Sequence, residues 1–322
     1  MKTYVNIIFC TIMLVFISSC QKNIDSFIPD NFQGNIDTVW QNNLSSNASV
    51  ISLKKDLRGL RDRDSFSYAN TGSILSSGNL TLRIPINTLV KDNGLIPVGI
   101  VQKESSLSLK KGDFIAMGIP TSSNERLLVS GGAFFLNLKN NGENLLVNQG
   151  KILTVKFDAT NLLQNNRIFN ASPDSANGFN WVINHDTGFN KSVITNTGYE
   201  ILTNRLNYVL TAQYMDTIGI AQTTLSVKLP SNYTNSNTTC YVVFNNVACV
   251  GSLKPDVASR TFVSPPLPIN KPVMIVVISK QSGDYYLGTF QVTTSINGPS
   301  SNVLVTPIKK SLAFIKTYLN TL

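Results

Sequence analysis

The chain contains very few of the side chains that carry acid–base and metal chemistry. It has one histidine, His185, among 322 residues. Its glutamates are Glu104, Glu125, Glu143 and Glu200. A zinc site needs several His or Cys ligands and a Ser-His-Asp triad needs a histidine base. Neighbouring strand residues point to opposite faces, so we interpret His185 as a structural residue near Trp181 and not as a base oriented by Asp186. We therefore predict no enzymatic activity, no metal ion and no cofactor.

Charged residues are also scarce, at 14% of the chain, against about 25% in an average globular protein. The net charge is +9, but the basic residues are scattered. The densest group, in residues 54–63, has aspartates interleaved with its lysines and arginines, which is typical of a solvated face. No base-reading motif accompanies it. We therefore expect no nucleic-acid partner, and we keep a weak affinity for acidic glycans as an open alternative.

One strongly apolar run stands at the N-terminus, in residues 5–17. At about 13 residues it is too short to cross a bilayer but fits the core of a secretory signal peptide. It ends in Ile17-Ser18-Ser19-Cys20, which resembles the lipobox of bacterial lipoproteins. The resemblance implies that residues 1–19 are removed and that Cys20 carries a diacylglycerol, whose two chains would hold the protein stably on a membrane. An ordinary secretory signal is the alternative.

The residue after Cys20 is Gln21 and not Asp. By resemblance to Gram-negative lipoprotein sorting, this favours the outer membrane. An acidic run of the kind that directs surface export is absent from residues 21–25. Both the periplasmic and the surface side therefore stay open.

Two cysteines remain after Cys10 is removed with the signal and Cys20 is acylated. Cys240 and Cys249 flank a strand–turn–strand pattern, and an oxidising envelope permits a disulfide between them. A two-residue turn at Asn245-Asn246 would make them diagonal neighbours near the limit of disulfide reach, and a four-residue loop from Val243 to Asn246 would place them opposite each other. The alternative is a pair of small buried side chains.

Short alternating apolar runs separated by Gly, Asn and Pro dominate the chain after residue 49. Strands of this length and spacing predict an all-β fold of two antiparallel β-sandwich domains. We expect a tether in residues 20–48, a first sandwich in 49–158, a linker in 159–180 and a second sandwich in 181–322. The first sandwich is expected to fold when it is expressed alone.

The C-terminal stretch changes to a helical period. Ile308, Leu312, Ile315 and Leu319 are spaced at i, i+4, i+7 and i+11, which predicts an amphipathic helix that begins just after Pro307. We expect the helix to cover the second sandwich. A helix lying on a membrane surface is the alternative.

Residues 78–90, Asp92-Asn-Gly94 and Pro97-Val-Gly-Ile-Val101 form a strand that ends at Ile-Pro, an Asn-Gly turn and a Gly-x-Val strand. This pattern resembles a module of cell-envelope lipoproteins of the Bacteroidota and, more distantly, the ZU5 β-sandwich. The resemblance covers residues 50–158 and implies a β-sandwich without an established activity.

Two further sets of residues are candidates for contact or modification. Tyr285 and Tyr286 are adjacent on a strand, so one ring faces outward, where it would stack on a sugar or simply cover the strand. Thr38, Ser175 and Thr217 lie in Asp-Ser/Thr-aliphatic triplets, which resemble an O-glycosylation signal of this bacterial group.

The sequence thus favours a lipid-anchored, non-enzymatic envelope protein that binds envelope proteins or glycans or has a structural role. A fimbrial or adhesin subunit that assembles by strand exchange is one alternative. A polysaccharide-binding module with an aromatic platform, or with a carboxylate pair as in glycosidases, is another.

Overall fold

The computed structural model describes residues 38–68, 72–172, 179–295 and 302–322. Cys20 and Ser175 lie outside these ranges. In the described residues strands dominate, which confirms the predicted all-β fold. The helices are α1 (Ser49–Leu57), α2 (Lys111–Met117) and α3 (Leu312–Asn320).

The first sandwich is built from two antiparallel sheets. One sheet has the order β1 (Asp62–Tyr68), β5 (Gly99–Ser108), β7 (Arg126–Asn140), β15 (Asn207–Tyr214), β11 (Arg167–Ser172) and β12 (Asn180–Ile183), with β6 (Ser122–Ser123) and β8 (Glu143–Asn144) paired to β7. The facing sheet has the order β13 (Lys191–Ile194), β14 (Gly198–Thr203), β10 (Leu153–Asp158), β3 (Leu80–Ile84) and β2 (Ser73–Ser77). A short pair joins β4 (Leu89–Val90) to β9 (Leu146–Val147).

Alternate residues of these strands form the core between the two sheets. On β10 the side chains of Leu153, Val155 and Phe157 are buried while the residues between them are more exposed. The same alternation on β3 buries Leu80 and Leu82. Each burial follows from the two-residue period of a strand, which places every second side chain on one face.

The second sandwich has a five-stranded and a four-stranded sheet. The first has the order β19 (Val250–Ser252), β18 (Thr238–Phe244), β23 (Pro272–Gln281), β24 (Asp284–Thr293) and β26 (Ile308–Lys310). The second has the order β20 (Lys254–Asp256), β21 (Thr261–Val263), β17 (Ser226–Lys228) and β25 (Asn302–Leu304), in which β25 runs parallel to β17. A short pair joins β16 (Gln222–Thr223) to β22 (Leu267–Pro268).

A third core lies between the two sandwiches, and the helices fill it. Leu53 of α1, Phe114 of α2 and Ile315 of α3 are buried together with side chains from the outer faces of both larger sheets, such as Leu210 and Val276. Because each sandwich also has its own core, these outer faces would be exposed apolar surface without the helices. The shared core therefore joins the two sandwiches into one unit.

The predicted domain boundary is wrong. Strand β11 lies inside the expected linker, yet Ile168 and Phe169 are buried and β11 pairs with β15. Strand β15 in turn pairs with β7 over most of its length, and β14 pairs with β10. The first sandwich therefore extends to Tyr214, and a fragment that ends at residue 158 would lack five of its strands, β11 to β15.

The expected tether is partly folded. Gln41 and Asn235 exchange two hydrogen bonds of 3.0 and 2.6 Å, and the Ser236 hydroxyl donates to the Val39 carbonyl at 3.1 Å. The Trp40 ring packs on Phe262 with a centroid distance of 5.0 Å. The described chain thus begins on the second sandwich.

The C-terminal helix starts later than predicted. Ile308 belongs to β26, which pairs with Leu287 of β24, and its side chain is exposed. The helix begins at Leu312 because the Ser311 hydroxyl caps it, accepting from the Phe314 N–H at 3.1 Å. Its apolar side packs in the core between the sandwiches and not on the second sandwich alone.

Candidate functional site

Cys240 and Cys249 are free, buried thiols, which agrees with the second of the two alternatives that the sequence left open. The Leu253 N–H donates to the Cys240 carbonyl at 2.9 Å, and the Phe244 N–H donates to the Cys249 carbonyl at 3.1 Å. The turn lies at residues 245–248, which separates the cysteines by four positions, or about 13 Å along the hairpin. A disulfide joins Cα atoms less than about 7 Å apart. Burial raises the pKa of the Cys249 thiol to about 12 and raises that of Cys240 as well.

Tyr285 and Tyr286 face opposite sides of β24, and both are packed. The Tyr285 hydroxyl donates to Asp56 Oδ2 of α1 at 2.9 Å, and its ring lies beside the Lys280 ammonium. The Tyr286 ring makes an edge contact with Tyr233, with centroids 5.7 Å apart. Both rings are half-buried in structural contacts, so neither forms an open platform for a sugar.

The glycosylation triplets are only partly described. Thr38 is exposed, and Thr217 is half-buried in the connection between β15 and β16. Modification at these positions stays a prediction.

His185 is exposed in the turn after β12 and not packed beside Trp181. In the described ranges no three His, Cys, Asp or Glu side chains come together as metal ligands would.

A cleft of about 660 Å³ opens between the two sandwiches. One wall comes from the β6–β7 turn and from the start of β12, and the other comes from β20 and the loop that precedes β22. Helix α1 contributes Lys54. Ligand sites commonly form at such junctions and have volumes of about 300 to 1,000 Å³.

The rim of the cleft is fixed by a strained turn and an ion pair. Asn124 and Glu125 both have positive φ angles, of 46° and 69°, as the tight β6–β7 hairpin requires. Asn180 accepts from the Asn124 N–H and donates to its side-chain oxygen, both at 2.9 Å. Glu125 Oε1 lies 2.6 Å from Lys254 Nζ of the second sandwich. This hydrogen bond and the adjacent positive charge lower the pKa of Glu125.

An aromatic cluster fixes the Phe179 ring that lines the cleft. The Trp181 indole N–H donates to the Pro120 carbonyl at 3.0 Å, and the whole Trp181 side chain is buried. The half-buried Phe179 ring contacts Trp181 edge to face, with centroids 4.9 Å apart, and it also contacts Tyr208 in this way. The cleft is therefore lined by a packed aromatic ring, and Pro265 is among the residues of the opposite wall.

Lys54 is the one charged residue of the cleft that has neither an ion-pair nor a hydrogen-bond partner among the described residues. Its side chain is exposed, yet the protein around the cleft desolvates the ammonium and, together with the charge of Arg58, lowers its pKa. In the part of the chain that the structure describes, no carboxylate pairs with Lys54. By contrast, the Glu125 carboxylate and the Lys254 ammonium of the cleft form an ion pair and neutralise each other.

Sequence reasoning missed this cleft because its residues come from seven separate segments between Lys54 and Pro266. The missed helix α1 did leave a signal, since Val50, Leu53 and Leu57 are spaced at i, i+3 and i+7 and are all buried. That stripe would have placed Lys54 beside a buried face. Nothing in the sequence places it near Phe179.

No protein-family profile matches this chain, and no curated protein matches it. The resemblance of residues 50–158 to a ZU5-like module of Bacteroidota lipoproteins therefore stays a prediction. No helix in the described ranges is long and apolar enough to cross a membrane.

Proposed function

We propose that the protein is a lipid-anchored, non-enzymatic protein of the outer membrane that binds a ligand in the cleft between its sandwiches. The observation that carries the binding role is the cleft itself, which is lined by the packed Phe179 ring and by the unpaired Lys54 ammonium. The lipid anchor is supported by the lipobox-like Ile17-Ser18-Ser19-Cys20.

The described chain meets the second sandwich first, through Val39 and Trp40. A lipid on Cys20 would therefore be connected to the fold through this sandwich.

The acidic groups of the cleft favour binding over cleavage. A glycosidase needs one carboxyl group with a raised pKa to act as the acid. The pKa of Glu125 is lowered by Lys254, and that of Asp256 is lowered by hydrogen bonds from Ser259 and Ala258 of its own turn. Both groups are thus held as carboxylates.

Lipid attachment is tested by Cys20→Ser, with Cys10→Ser as the matched control in the same leader. We expect the wild type and Cys10→Ser to incorporate labelled fatty acid and to sediment with outer membranes after carbonate washing. Cys20→Ser should incorporate none and should not stay with the washed membranes. Retention of Cys20→Ser in the washed membranes would contradict the proposal.

A fimbrial or adhesin subunit is the second candidate, and one observation favours it. Residues 58–60 connect α1 to the first sandwich and are fully accessible, with Leu60 exposed over its whole side chain. Cleavage at Arg58 would release α1 and uncover part of the shared core. If this candidate is correct, brief trypsin treatment will yield polymers on gel filtration, and Arg58→Gln will prevent them. A cleaved protein that stays monomeric would exclude it.

A further inference from the structure

The unpaired positive charge of the cleft indicates which kind of ligand would bind there. Glu125 is matched by Lys254 at 2.6 Å, and Asp256 accepts from the Ser259 hydroxyl at 2.7 Å within its own turn. Asp256 has no counter-charge either, but only the Lys54 ammonium has no hydrogen-bond partner and no counter-charge among the described groups of the cleft. A ligand that carries one negative charge would supply it.

The polar lining consists mainly of hydroxyl and amide groups. Ser122, Thr224 and Ser252 contribute short hydroxyl side chains, and Asn124 and Asn180 contribute amides. Hydroxyls both donate and accept hydrogen bonds, and an amide does the same through its two ends. Such a set suits a ligand that is itself rich in hydroxyl groups.

The apolar part of the lining is made of rings. Phe179 is held by its two edge contacts, and Pro255, Pro265 and Pro266 stand on the facing wall. An extended peptide would need free backbone N–H groups for strand addition, and prolines have none. A sugar ring instead offers a C–H face to such rings and hydroxyl groups to the rim.

From these three features we infer that the cleft binds an acidic saccharide, in which Lys54 pairs with a sugar carboxylate and Phe179 contacts the sugar ring. The inference rests on the proposed binding role and specifies its ligand. The desolvation that lowers the pKa of Lys54 is consistent with it, because an anion beside the ammonium would offset that desolvation.

The test uses a matched pair of ligands and a matched pair of variants. Cellobiouronic acid carries a carboxylate where cellobiose carries a hydroxymethyl group. Lys54 and Lys55 are neighbouring exposed lysines of α1, and only Lys54 lines the cleft. Calorimetry on the full-length protein in detergent at low salt should show about tenfold tighter binding of cellobiouronic acid. Lys54→Met should abolish this preference, whereas Lys55→Met should keep it.

Two further measurements locate the ligand. Phe179→Leu should weaken the binding of both sugars by a similar factor. In the wild type, cellobiouronic acid should slow the acetylation of Lys54 by acetic anhydride and leave that of Lys55 unchanged, as read by peptide mass spectrometry.

Equal affinity of the wild type for the two sugars, absence of binding, or an equal effect of Lys54→Met and Lys55→Met would overturn the inference. None of these results depends on the lipid. A protein that fails the Cys20→Ser test but binds cellobiouronic acid would overturn the anchor alone, and an anchored protein that binds neither sugar would overturn the ligand alone.

Discussion

The ion pair between Lys103 and Asp62 offers the sharpest test of how the first sandwich is held together. Lys103 lies on β5 with its side chain 1% exposed, and its Nζ lies 3.0 Å from Asp62 Oδ2 on β1. The Ser77 hydroxyl of β2, in the facing sheet, donates to the same oxygen at 2.6 Å. The pair thus closes one end of the core and links both sheets.

Replacing Asp62 by Asn leaves the buried ammonium of Lys103 without its counter-charge. Breaking a fully buried pair costs about 3 to 5 kcal/mol. Because the Asp62 side chain is 47% exposed, we expect about 2 kcal/mol, since water partly solvates the site. With a urea dependence of about 3 kcal/mol/M, the unfolding midpoint should fall by about 0.7 M.

Glu200→Gln is the matched control. Glu200 pairs with Lys156 across neighbouring strands of the same sandwich at 2.6 Å, which is shorter than the Lys103–Asp62 distance. The Lys156 side chain is 57% exposed, against 1% for Lys103, so no buried ammonium is left unpaired and this variant should change stability by less than about 1 kcal/mol. The double variant Asp62→Asn/Lys103→Met should recover most of the loss, because no buried charge remains.

Urea unfolding followed by Trp181 fluorescence measures all three variants, and pH provides an independent check. Hydrogen bonds from Ser77 and Lys103 lower the pKa of Asp62 below its ordinary 3.8 in the folded state. The contribution of the pair should therefore be fully present above that value and be lost as the pH falls through the lowered pKa. An Asp62→Asn midpoint no lower than that of Glu200→Gln would refute the reasoning.

Three further predictions concern packing. Gly112→Ala should destabilise by about 2 kcal/mol or more in urea unfolding, because a Cβ there would overlap the Leu319 carbonyl of α3, whereas Gly59→Ala, with open space around it, should be neutral. Cys240 and Cys249 should resist alkylation in the native protein and should both react quantitatively after unfolding without reductant; a linked pair would contradict the hairpin register. A fragment that ends after β10 should be insoluble or unfolded, and a soluble, cooperatively melting fragment would show that β11 to β15 are dispensable.

The strands could be predicted from the sequence because their signal is local. The alternation of Leu80, Leu82 and Ile84 fixes both the strand and its buried face, and no distant residue is needed to recognise it. The pairing of strands is not local in this way. Residues 159–180 contain enough Asn, Ser and Pro to indicate a linker, and only the register of β11 on β15 reveals that they hold a central strand.

Helices α1 and α2 were not predicted from the sequence, for different reasons. Helix α1 has nine residues and no side-chain N-cap, so its three-residue apolar stripe is its only signal. Helix α2 contains Gly112, which ordinarily disfavours a helix. In this fold Gly112 is required, because α2 and α3 approach so closely that no side chain fits between them.

Helix α1 connects the shared core with the cleft, and it follows the segment that would carry the proposed anchor. Leu53 and Leu57 are almost completely buried between the sandwiches, and the Asp56 carboxylate accepts from Lys280 Nζ at 2.6 Å. Lys54 lies between these fixed points, so its ammonium is positioned by its neighbours and not by bonds of its own. The backbone that leads toward Cys20 enters this helix directly from the second sandwich. The contacts that hold α1 in place therefore also position the Lys54 ammonium in the cleft.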